Sequence, residues 1–167
     1  MANATRGLLR CCAAGALTLT LGGCGWFGGG GSTSSESVFD VKPGQCFVAP
    51  SDVKAQLSDL SRTSCQKPHT EESYANVTYD AGTATGASAA TSSSAFPGND
   101  ILSTFAQGAC AQRYAGYVGV DYLDSSLFFT YLLPSARSWE QNDDRKIICF
   151  VTTTGAKLTA SVKGSKK

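Results

Sequence analysis

The sequence has few of the residues that metal sites and active sites need. Its single histidine, His69, excludes a two-histidine acid/base pair and a His-rich metal site. The cysteines form no Cys-x-x-Cys pair, and their spacings are far wider than those of zinc sites. Neither a Gly-x-Ser-x-Gly turn nor a loop of spaced acidic calcium ligands is present. We therefore expect no cofactor and no metal.

Long apolar runs are also missing, since the one uncharged, mostly apolar stretch spans residues 13–22. A bilayer-spanning helix needs about 20 such residues. With Arg6 and Arg10 before it, the stretch is typical of an export signal. It ends at Leu21-Gly22-Gly23-Cys24, which resembles the lipobox of bacterial lipoprotein precursors. The resemblance implies that residues 1–23 are a signal peptide and that Cys24 becomes the lipidated amino terminus.

Two acyl chains suffice for stable anchoring. We therefore expect attachment to the cell membrane, on its extracytoplasmic face, through palmitate-type chains on Cys24. The alternative is an ordinary secreted protein whose signal peptide happens to contain cysteines. Removing Arg6 and Arg10 from the 14 basic residues leaves 12 against 13 acidic ones. This balance argues against binding to nucleic acid.

Four cysteines then remain in a mature chain of one-domain length, which fits disulfides in an oxidising compartment. Three pairings are possible, and we favour Cys46 with Cys65 and Cys110 with Cys149, because each ties neighbouring elements of the expected fold. On the chain-entropy relation, these bridges stabilise the fold by about 3 and about 4 kcal/mol.

Patterning predicts one α+β domain over residues 37–163, with a small, mostly antiparallel sheet, one main packed helix and two disulfides. Residues 24–36 read as the lipidated cysteine and a Gly/Ser-rich flexible linker, and residues 164–167 as a basic tail. Asn99 is expected to cap the helix, and residues 82–95 to form a surface loop. The predicted strands are 46–49, one ending at Cys65, 74–79, 127–133 and 146–152.

Several segments together resemble the septum formation-related domain family, found in envelope proteins of Gram-positive bacteria. The resemblance covers about 125 residues, carried by Val41–Phe47, Ser64–Glu71, the helix with Cys110, Pro134, Trp139, Asp144-Arg145 ahead of Cys149, and Leu158–Val162. The family pattern usually has a glycine before Asp-Arg, where we expect Asn142 to supply the positive φ. Membership implies a link to septum formation and the cell envelope, but no established catalytic activity or ligand.

The motif residues are expected to be structural. We expect His69 to donate a ring hydrogen bond that fixes the corner after Pro68. Arg145 should pair with a nearby carboxylate, with Glu71 as the candidate, and Trp139 should pack over the strand. The resulting set of structural motif residues is Pro68, His69, Glu71, Trp139, Asp144 and Arg145.

The leading hypothesis is a non-enzymatic binding or interaction module whose partner is an envelope protein or a wall component. The alternative is an exported hydrolase that uses His69 as its base. Ser64 or Ser73 would then be the nucleophile, and Glu71 or Glu72 would orient the ring. Serines this close in sequence to the base rarely reach that geometry.

Overall fold

The computed structural model describes residues 33–50, 57–82 and 95–167. The export signal, Cys24 and most of the predicted loop at 82–95 lie outside these ranges. No helix within them is long and apolar enough to cross a membrane. The elements in chain order are β1 (Ser34–Ser37), a 3-10 turn (Val38–Asp40), β2 (Cys46–Val48), β3 (Asp59–Thr63), β4 (Glu71–Thr78), α1 (Asn99–Val118), β5 (Phe128–Leu132), α2 (Ala136–Asn142) and β6 (Lys146–Thr152).

The described strands form one six-stranded sheet in the order β1-β3-β2-β4-β6-β5, and every neighbouring pair is antiparallel. The central strand β6 is buried on both faces, which explains its nearly continuous run of β-branched and aromatic residues. One face packs against α1 and the other against the chain around Val41 and Phe47. The predicted α+β architecture is confirmed.

The helix α1 lies on the sheet through residues spaced four apart. Its buried positions are Leu102, Ala106, Cys110, Tyr114 and Val118. The helix ends at Gly119, whose left-handed φ of 91° directs its N–H to the Ala115 carbonyl at 2.9 Å. The predicted cap is wrong: Asn99 is the first helical residue, and Gly98 precedes it without a side-chain cap.

Both predicted disulfides are present. Cys46 pairs with Cys65, with their Cα atoms 5.2 Å apart, and Cys110 pairs with Cys149, at 5.6 Å. The first bridge joins β2 to the chain that follows β3. The second joins the buried face of α1 to β6 and so holds the helix on the sheet.

Residues on both sides of 37–163 contact the fold. Residues 34–36, assigned to the linker, belong to β1, where Glu36 Oε2 lies 3.2 Å from Arg62 Nη1 on β3. The predicted basic tail lies against the end of α1, because the N–H groups of Gly164 and Lys166 donate to the Tyr117 and Val118 carbonyls. These carbonyls have no acceptor role inside the helix and need external donors.

Candidate functional site

His69 is fully buried in a corner between β2, β4 and the C-terminal segment. Its backbone forms a two-way bridge with Leu158, with N–O distances of 2.9 and 2.8 Å. Its Nδ1 lies 2.7 Å from the Lys67 carbonyl. Because a carbonyl only accepts, Nδ1 carries the hydrogen and donates it. The ring therefore holds the Lys67-Pro68 corner in place.

Glu72 is also fully buried, and three donors from two other segments converge on its carboxylate. The hydroxyls of Tyr117 and Ser161 donate to Oε1 at 2.5 and 2.6 Å. The N–H of Val162 donates to Oε2 at 2.9 Å. Hydrogen bonds to an ionised acceptor are the stronger kind, typically worth about 1.5–3 kcal/mol each. Glu72 thus links β4 to both α1 and the C-terminal segment.

The tyrosine in this network keeps its proton. Burial raises the pKa of Tyr117, and the hydrogen bond to Glu72 and the charge of that carboxylate raise it further. A phenol in this environment remains a donor across the physiological range. Tyr74 of β4 has its ring 6.0 Å from the Tyr117 ring. Burial raises the pKa of Tyr74 as well, and its hydroxyl donates to the Cys110 carbonyl at 2.8 Å.

His69 and Glu72 face each other without a hydrogen bond. The Nε2 to Oε2 distance is 3.9 Å, which is longer than any hydrogen bond of this type. Nε2 has no hydrogen-bond partner within the described ranges. Both side chains have 0% exposure, so this pair has no open route to solvent.

The serines considered as nucleophiles do not contact the histidine. Ser73 donates from Oγ to the Lys42 carbonyl at 2.6 Å and, as the neighbour of Glu72 on β4, faces the other side of the sheet. Ser64 accepts from the N–H of Gln66 at 3.3 Å. The hydroxyls nearest to the buried carboxylate are those of Tyr117 and Ser161, and both donate to Glu72.

One cluster of potential metal-ligand atoms occurs in the described part of the chain. It comprises the sulfurs of Cys46 and Cys65 and a carboxylate oxygen of Glu72, all within 4.8 Å of one another. The two sulfurs are joined in a disulfide, and the thiolate is the form of cysteine that binds metals. This cluster therefore does not provide a metal site.

Three of the motif residues, Trp139, Asp144 and Arg145, lie near the opposite end of β4. The guanidinium of Arg145 stacks over the Trp139 ring at 3.7 Å from its centroid and donates to the Trp139 carbonyl at 2.9 Å. Its ion pair is with Asp143, at 2.9 Å. The predicted pair with Glu71 is wrong. Arg145 lies beside the end of β4, because its carbonyl accepts the N–H of Tyr79, whereas Glu71 is the first residue of that strand. The length of β4 separates the two residues by about 25 Å.

Three further details of this corner differ from the sequence prediction or add to it. The positive φ before Asp144-Arg145 belongs to Asp143, at 51°, and not to Asn142, which is the last residue of α2. Asp144 accepts the backbone N–H of Lys146 at 3.0 Å, at the start of β6. Trp139 is 1% exposed and packs edge-on against Tyr79.

Sequence reasoning missed the network around Glu72. It considered Glu72 only as an orienting group of a hydrolase. The alternation of side chains along β4 was an available signal. It places Glu72 on the same side of the strand as Tyr74, the side that faces α1, and so predicts a buried carboxylate there. No local pattern connects Glu72 with Ser161, which lies 89 residues further along the chain.

The residues just described fall within a family match. Residues 43–166 match the model of the family described as Septum formation. No curated protein and no solved structure matches the chain. The match covers most of the chain and contains both disulfides, the His69–Glu72 corner and the Trp139–Arg145 corner. The resemblance drawn from the sequence is confirmed, and the chain belongs to the Septum formation family.

Proposed function

We propose that this protein is a lipoprotein anchored through Cys24 on the extracytoplasmic face of the cell membrane. There it acts as a non-enzymatic binding module in septum formation. The observation that carries the non-enzymatic part is the burial of the polar motif. His69 and Glu72 are both at 0% exposure, and Glu72 already accepts three internal hydrogen bonds. Their contacts stabilise the fold and leave no polar group of the pair facing a substrate.

The anchor is supported by the lipobox-like sequence and by the two disulfides, which suit an oxidising exterior. Metabolic labelling with a palmitate analogue tests it in cells. We expect the label on the wild-type protein and its loss in Cys24→Ser. Cys12→Ser is the matched control and should keep the label. Labelling that persists in Cys24→Ser would contradict the anchor.

The binding role is supported by family membership together with the internal use of the motif. Crosslinking in intact, dividing cells should recover a specific envelope protein or wall fragment with the wild-type protein. Loss of the protein should also disturb septum placement or completion. Normal septa in the absence of the protein, with no specific crosslinked neighbour, would contradict the role.

The non-enzymatic part has its own test. A fluorophosphonate probe reacts with activated serines, so we expect no covalent labelling of the folded, oxidised protein. An exported serine hydrolase from the same cells serves as the positive control. Labelling that disappears in His69→Ala and in a single serine variant would instead identify a hydrolase.

A further inference from the structure

The strand β4 has a partner along only part of one edge. It pairs with β6 from Glu71 to Thr78, but with β2 only at Glu71 and Glu72. Ser73 still donates to the Gln45 carbonyl and accepts from Gly44. Beyond this point, the segment that leads into β2 lies over the sheet face that is away from α1, where Val41 is buried and its carbonyl accepts a hydrogen bond from Asn76 Nδ2 at 2.7 Å. Among the described strands, none pairs with the second half of β4 on that side.

The orientation of the free backbone groups follows from the pairing with β6. Tyr79 donates its N–H to the Arg145 carbonyl at 2.8 Å, which directs Tyr79 toward the β6 side. Backbone groups alternate along a strand, so Asn76 and Thr78 present their N–H and C=O groups to the opposite side. No backbone group in the described ranges bonds to them there. An edge of this kind is a template for an added strand.

A depression of about 280 Å³ lies beside this edge. Tyr74 and Asn76 of β4 line it together with Pro43, and α1 contributes Arg113, Gly116 and Tyr117. The exposed Arg113 has no ion pair with any described residue. The Lys163 ammonium lies 6.0 Å from the Tyr117 ring centroid. Arg113 is the cation that lines the depression, and the carboxylate bonded to Tyr117, that of Glu72, is fully buried.

We infer that this depression and the free edge of β4 form a docking groove for an acidic, extended segment of a partner protein. The partner strand would bond to Asn76 and Thr78, whose spacing of about 7 Å is the two-residue repeat of a strand. An acidic side chain of that segment would pair with Arg113. The unpaired backbone edge favours a polypeptide over a lipid or a glycan, because only a peptide strand matches its alternating donors and acceptors. This inference rests on the proposed binding function and specifies its surface.

Two helix glycines provide a matched test. A Cβ added at Gly116 or at Gly108 meets no atom within 4 Å, and both residues are exposed on α1. Only Gly116 lines the depression. Gly116→Phe therefore fills the groove, whereas Gly108→Phe adds the same ring elsewhere on the helix. Circular dichroism should show equal helix content in both variants.

The probe is a fluorescent hexapeptide of alternating valine and glutamate, measured by anisotropy against the oxidised full chain carrying Cys24→Ser. We expect saturable binding that weakens as salt is added, because Arg113 is at the surface. Gly116→Phe and Arg113→Glu should each weaken it by roughly tenfold or more, as steric filling and like-charge contact do at interfaces. Gly108→Phe should bind as the wild type does. A peptide of alternating valine and lysine should bind roughly tenfold more weakly or not at all.

Equal binding of the two peptides by the wild type, or unchanged binding by Gly116→Phe, would overturn the groove. The crosslinking experiment separates this failure from failure of the binding function. A neighbour recovered equally from wild-type and Gly116→Phe cells would refute the groove and leave the function standing. If wild-type cells yield no neighbour, the binding function fails, whatever the peptide results.

Discussion

Replacing Glu72 by glutamine is the sharpest test of the buried network. The substitution keeps the shape of the side chain but turns one acceptor oxygen into an NH₂ group. If the remaining oxygen keeps Tyr117 and Ser161, the NH₂ group faces the Val162 N–H, donor against donor. An unsatisfied buried donor costs about 1–3 kcal/mol, and two bonds lose their charge assistance at about 0.5–1 kcal/mol each. We expect a loss of about 3 kcal/mol in the free energy of unfolding.

Such a loss is large against the total stability of a domain, which is about 5–15 kcal/mol. Urea unfolding of the oxidised protein, followed by far-ultraviolet circular dichroism, measures it as a shift in midpoint at constant slope. Glu71→Gln is the matched control. Glu71 is the adjacent residue on β4, and no described group is hydrogen-bonded to its side chain. It should therefore keep the wild-type midpoint or exceed it.

A double-mutant cycle with Tyr117→Phe assigns the loss to the network. Tyr117→Phe removes one donor to Oε1 and leaves Ser161 and Val162 in place. Because the two side chains share a bond, their separate losses should exceed the loss in the double variant by about 1 kcal/mol or more. Losses that add to within about 0.5 kcal/mol would refute the network. So would a Glu72→Gln loss no larger than that of Glu71→Gln.

Three further predictions concern other parts of the domain. Burial raises the pKa of Glu71 above its ordinary value of 4.5, so the folded state binds the proton more tightly than the unfolded state does. The free energy of unfolding therefore falls as pH rises from 4.5 through the folded-state pKa. Glu71→Gln should therefore raise the melting temperature at pH 7 but not at pH 4, and an equal effect at both would contradict this sign. Gly108→Ala should raise the free energy of unfolding by about 1 kcal/mol in urea, because Gly108 is an exposed helix residue with open space at its Cβ, and no gain would contradict that placement. Arg145→Lys should lower it by about 1–2 kcal/mol, since lysine cannot both stack on Trp139 and bond to its carbonyl, and near-ultraviolet circular dichroism should report the change.

The sequence predicted most elements because their signals are local. The strand at 146–152 was predicted with its observed bounds, since an apolar, β-branched run of that length forms a buried strand. The helix was predicted to begin directly after Asn99, one residue later than its observed start. Its cap was misassigned by one residue, because which residue stays outside the helix depends on backbone dihedrals that composition does not reveal. The partner of Arg145 was misassigned because the sequence does not show how β4 and β6 pair. The two strands are antiparallel, so Glu71 at the start of β4 and Arg145 just before β6 lie at opposite ends of the pair.

By itself, the sequence determined the α+β class and the family, which follow from periodicity and short motifs, and the number of cysteines available for disulfides, whereas the favoured pairing was one of three until the structure showed it. Only the tertiary structure decided that Glu72 accepts from Tyr117 and Ser161, that the C-terminal residues complete the end of α1, and that β2 pairs with only the first part of β4. Each of these depends on which distant segments meet, and that is set by how strands pair and how a helix packs on them. Local pattern records which face of an element is apolar, but it carries no information about which buried polar group will find which donor.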